Sequence, residues 1–115
     1  MVHVSEERFG DMVDDALDRI PEEFARRMTN VVVLVSDFNE VQPEILGLYE
    51  GVSLTERTFD HTGFLPDAIS IYKGALEAHC HTEEQLAEEV MVTVFHEVGH
   101  YFGMDEEALH RLGWG

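Results

Sequence analysis

At 115 residues and 44% hydrophobic content, the chain is long enough for one modest core and too apolar for disorder. Twenty-four acidic against 7 basic residues give a formal charge of −17, a field that repels phosphate backbones and anionic lipid, so nucleic acid and membrane are poor partners. The single cysteine, Cys80, excludes an intrachain disulfide and fits a reducing compartment; no run resembles a signal peptide or spans a bilayer, so one cytoplasmic domain over residues 1–115 is expected.

Ser5 is placed to cap a helix whose first turn carries Glu6 and Glu7. Phe9, Met12, Val13, Ala16, Leu17 and Ile20 recur at helical spacing as one apolar stripe, while Asp11, Asp14, Asp15 and Asp18 form a solvated opposite face. Pro21 breaks the pattern and starts a second short helix reaching Met28. After Asn30, the run Val31 to Val35 reads as a strand buried on both faces. A loop through Pro43 leads to a second strand, Ile45 to Glu50, closed by Gly51. The polar segment Ser53 to Gly63 reads as a mobile loop, and Ala68 to Tyr72 as a third strand. A short helix is expected over Gly74 to Cys80 and a last one over Asp105 to Leu112, with Gly113-Trp114-Gly115 as a tail.

Between these two helices, Thr82 caps a long helix, with Gln85 three residues on and Glu83 and Glu84 complementing the dipole. Val90, Val94 and Val98 make one side of its apolar arc, and Met91, Phe95 and Phe102 the other. Thr93, His96 and His100 fall outside the arc, and Glu97 lies at its margin. His96-Glu97-Val98-Gly99-His100 is an HExxH motif: two imidazoles one turn apart point the same way and suit a tetrahedral zinc ion. Glu97 is placed to reach a metal-activated water without being a ligand. Gly103 lets the chain turn back with φ > 0, so that Glu106 or Asp105 supplies a third ligand and a fourth position stays open.

Other candidates are weaker. His79-Cys80-His81 has adjacent, diverging side chains and no second pair at finger spacing; Cys80 lacks basic neighbours that would activate it; His61 reads as an ordinary loop histidine. Tyr49, Tyr72 and Tyr101 are each candidates to stabilise an oxyanion, and spacing does not choose among them.

The chain resembles the small bacterial zincin-like minimal metallopeptidases. Ala16 to Pro21, Asn30 with its valine run, Leu46 to Gly51, Leu65-Pro66-Asp67 and, most specifically, Thr93 to Gly103 carry the resemblance over nearly the whole chain. It implies an α+β zincin-like fold, a small mixed sheet packed against the active-site helix and the N-terminal amphipathic helix, with zinc held by His96, His100 and an acid after the glycine. The family pattern HExxHxxGxxD has Asp where this chain has Glu106, so the longer Glu106 is the expected third ligand and Asp105 its competitor. The function expected is zinc-dependent hydrolysis of peptides or unfolded protein, with Glu97 as general base. The alternatives are a metal-binding or protein-interaction domain with little turnover and, against the charge of −17 and the lack of a third histidine in the motif, a zinc-dependent ribonuclease.

Overall fold

Capping, periodicity and turn residues set most of the element boundaries. The computed structural model describes residues 1–51 and 66–114; the segment Ser53 to Gly63, with His61, lies outside them. The elements run α1 (Glu6–Asp18), α2 (Glu22–Ala25), β1 (Val31–Ser36), β2 (Gly47–Glu50), β3 (Asp67–Tyr72), α3 (Lys73–His79), α4 (Glu83–Tyr101) and α5 (Glu106–Leu112). This is an α+β fold with a small mixed sheet.

Ser5 accepts the Arg8 backbone N–H at 3.0 Å and starts α1, which buries Phe9, Met12, Val13 and Ala16 against α4. Thr82 accepts the Gln85 N–H at 3.0 Å and starts α4. The Gln85 side chain reaches back one residue further than a capping box requires, accepting from His81 N–H at 2.8 Å. Leu86, Val90, Val94 and Val98 are fully buried along α4 and form the centre of the core. Packing of this apolar face, rather than helix propensity, holds most of the helix.

Among the described residues the sheet has three strands in the order β1-β3-β2. β1 pairs parallel with β3 (Val33 opposite Ile69), and β2 pairs antiparallel with it (Tyr49 opposite Ile69). The central strand β3 buries Ile69, Ile71 and Tyr72. β1 departs from its expected burial. Among the described strands it lies at an edge, and Val32, Leu34 and Val35 are 40%, 49% and 47% exposed. Its inward Val31 and Val33 pack against the core, while Val32 and Leu34 point to the opposite face. β2 is shorter than expected because Ile45 closes a turn instead, its N–H bonding to Gln42 O at 3.2 Å.

The C-terminal residues are also more than a tail. Gly113 turns at φ 76°, Trp114 N–H bonds to Leu109 O at 2.8 Å, and the indole lies 5.2 Å from both Phe24 and Phe95. Phe102 joins the group at 5.2 Å from Phe24, so the aromatic cluster ties α2 and the C-terminus to α4. Tyr101, fully buried, fastens the start of β1 to the end of α4: its hydroxyl donates to Thr29 O at 3.0 Å and accepts Thr29 N–H at 3.3 Å. Truncating Trp114 to alanine opens a cavity in this cluster, and a loss of about 3 kcal/mol in unfolding free energy is expected by denaturant titration.

Candidate metal centre

His96, Glu97 and His100 occupy the last two turns of α4, where the helix leaves the valine-lined core. The Nε2 atoms of His96 and His100 lie 3.1 Å apart. Gly103 ends the helix at φ 80°. Its N–H bonds to His100 O at 2.9 Å and the Met104 N–H bonds to Gly99 O at 3.0 Å, the paired bonds of a Schellman turn. That turn sends the chain into α5, and Glu106, its first residue, comes back to the histidines. Glu106 Oε1 stands 3.5 Å from His96 Nε2 and 3.7 Å from His100 Nε2. One donor atom from each of the three residues falls within 4.8 Å of the others, and they are the one group of this kind among the described residues.

Asp105 takes a different role. Its carboxylate accepts the Ala108 N–H at 2.8 Å and caps α5, a local bond that turns it towards its own helix. The histidines therefore meet Glu106, whose side chain is 74% exposed, and not Asp105.

Glu97 is set apart from these donors by burial: it is 8% exposed. β2 packs against it so closely that a Cβ on Gly47 would lie 2.7 Å from Thr93 Cγ2 and 3.2 Å from Glu97 Cγ. Leu46 O accepts the Tyr72 N–H, so alternation along β2 turns the Tyr49 N–H away from β3, and it donates to the Glu97 carboxylate. Burial pushes the Glu97 carboxyl above the ordinary carboxylate range. The neighbouring His96 and His100 and the Tyr49 bond pull it back, and Glu106 adds to the rise. A cleft of about 740 Å³ opens between β2 and the ends of α4 and α5, with Glu97, His100 and Glu106 on its walls.

The three tyrosine hydroxyls are committed elsewhere. Tyr49 donates to Asp67 Oδ2 at 2.8 Å, Tyr72 accepts from Asn39 Nδ2 at 2.9 Å, and Tyr101 is held at Thr29. Cys80 is fully buried, which raises its thiol pKa, and it has no part in the cluster. Gly47 and Gly99 were not singled out from the sequence. A glycine within an otherwise bulky helix or strand marks close approach of another segment, and both positions carry that mark.

Residues 28–114 match the family described as zincin-like metallopeptidase. The chain belongs to that family. Among solved structures it is similar to a conserved hypothetical protein from Thermo thermophilus, at 23% identity and a TM-score of 0.60, covering 86% of this chain and 94% of that one. That likeness supports the fold. No curated protein matches the chain. Membership of the family implies a metal, typically zinc.

The two neighbouring acids separate by experiment. Asp105→Ala removes a helix cap and should lower unfolding free energy by about 1 kcal/mol. Glu106→Ala should leave the melting temperature of the metal-free protein nearly unchanged and weaken zinc binding more than Asp105→Ala does, measured by chelator competition.

Proposed function

We propose that this protein is a zinc-dependent peptide hydrolase, with His96, His100 and Glu106 as the metal ligands and Glu97 as general base. The observation that carries this reading is the convergence of the three donors beside a buried carboxylate in an open cleft. Bonds of 2.0–2.2 Å in a tetrahedral set separate neighbouring donors by roughly 3.3–3.6 Å. The separations here are 3.1, 3.5 and 3.7 Å, so the residues fit such an ion without rearrangement of the backbone. Two neutral imidazoles and one carboxylate are also the donor set of a catalytic rather than a closed structural zinc site.

Zinc bound there supplies a Lewis acid that acidifies water and polarises a carbonyl. The chain's own residues do the rest. Glu97, held by the Tyr49 N–H and raised in pKa by burial, takes a proton from water and returns it to the leaving amine. Among the described residues β2 lies at the edge of the sheet, and it forms one wall of the cleft, a position from which an extended peptide is aligned by its main chain. The cleft is open, and its lining among the described residues carries Glu97, Asp105 and Glu106 and no lysine or arginine, which favours peptides or unfolded protein over a phosphodiester as the substrate class. No helix among the described residues is long and apolar enough to cross a membrane.

Glu97→Gln preserves side-chain volume and leaves the three donors untouched. Zinc content should match wild type, while hydrolysis of a mixed peptide library, followed by mass spectrometry, should fall by roughly 10²–10⁴-fold. Equal cleavage by both proteins rules out Glu97 as the base. Zinc bound in both with cleavage in neither favours a metal-binding protein with little turnover.

A further inference from the structure

We propose that Gly99 is a positioning residue for Glu106, a proposal that rests on the three-residue metal site described above. Glu106 reaches the histidines only because α5 lies where it does. That helix is seven residues long, and Leu109 is its one buried residue. Leu109 stands three positions after Glu106, so the two side chains share a face of α5, one leading into the core and the other towards His96 and His100. Leu109 enters the core at Gly99. A Cβ built on Gly99 would lie 2.0 Å from Leu109 Cδ2 and 3.3 Å from its Cγ, with Met104 Sδ at 3.6 Å. Carbon atoms pack at about 3.5–4.0 Å, so the leucine occupies the space that any other residue at 99 would need.

Gly99 therefore does two jobs in one turn of α4. Its carbonyl accepts the Met104 N–H of the turn into α5, and its missing side chain forms the socket for α5's anchor. Leu109 is fully buried and cannot swing aside into solvent. Because buried Leu109 has little room to turn, a methyl group at 99 is expected to displace α5 outward, and Glu106 with it. Metal–ligand distances tolerate only about ±0.2 Å, so a shift of even 1 Å takes the carboxylate out of the donor set while both imidazoles stay in place on α4. The glycine inside HExxH thus sets the third ligand from a position that touches no metal.

A purely structural glycine would lower stability when substituted and have no specific link to Glu106. The test is a double-variant cycle on zinc affinity, read by competition with a chromophoric chelator for wild type, Gly99→Ala, Glu106→Ala and the combined variant. Gly99→Ala should weaken zinc binding by roughly 10–100-fold, as loss of supporting contacts around a metal ligand does. In the Glu106→Ala background the same change should alter affinity by less than about twofold, because there is no ligand left to misplace. Cobalt substituted for zinc should give the same visible spectrum in Gly99→Ala as in Glu106→Ala. If Gly99→Ala does not fold, Leu109→Ala empties the socket from the other side and should weaken zinc binding only when Glu106 is present. Unchanged zinc affinity in Gly99→Ala with a lower melting temperature, or effects that multiply in the combined variant, overturns the proposal. A wild-type protein that binds no zinc overturns the metal site itself, and the positioning role with it.

Discussion

The contact between α4 and β2 is the constraint on which the rest of the molecule depends. α4 is buried through Leu86, Val90, Val94 and Val98, and a helix sunk that deep has few places to put a charged group. Gly47 solves this on one side by letting the backbone of β2 come up against Thr93 and Glu97. The Tyr49 N–H then meets the Glu97 carboxylate, which would otherwise stand buried with an unmet hydrogen-bonding need costing several kcal/mol. The same packing that keeps water from Glu97 raises its pKa. Packing and acid–base chemistry are here two results of one close approach.

At its C-terminal end α4 passes from core to site within two turns. Val98 is still fully buried, whereas His96 and His100 are partly exposed and His100 lines the cleft. The Schellman turn at Gly103 reverses the chain at once, so a residue only six positions after His100 can face it. Beyond α5, the Trp114 indole is fixed among Phe24 and Phe95. The C-terminal helix is thus held at both ends, by the turn and by the aromatic cluster, with Leu109 between them.

What could be read from the sequence was mostly local. Ser5, Thr82 and Gly103 act through bonds to residues at most a few positions away, and the stripes of α1 and α4 follow from helical spacing alone. The pairing of His96 with His100 is a property of one helical turn, and was equally legible. The burial of β1 was not, because an aliphatic run reads the same in a central strand as at an edge. Strand order decided it: β3 took the centre, and β1 kept one open side. Family spacing favours Glu106 over Asp105, but spacing alone does not show that α5 begins at Glu106, one residue later than expected, which leaves Asp105 at the cap. An aspartate just ahead of a helix is a cap, and a cap is committed to its own backbone. The tyrosine hydroxyls found partners at Asp67, Asn39 and Thr29, contacts 18, 33 and 72 residues apart that no local pattern announces.

The central claim, that α4 and α5 together gather a three-ligand zinc site, is tested most directly by X-ray absorption at the zinc edge on protein loaded with one equivalent of metal. The expected signal is a four-coordinate ion with only nitrogen and oxygen neighbours at about 2.0–2.2 Å, including the outer-shell scattering of two imidazoles. Loss of one light-atom neighbour in Glu106→Ala, with both imidazole signatures kept, places that carboxylate on the metal. A sulfur shell at about 2.3 Å, or scattering from fewer than two imidazoles, would contradict the assignment.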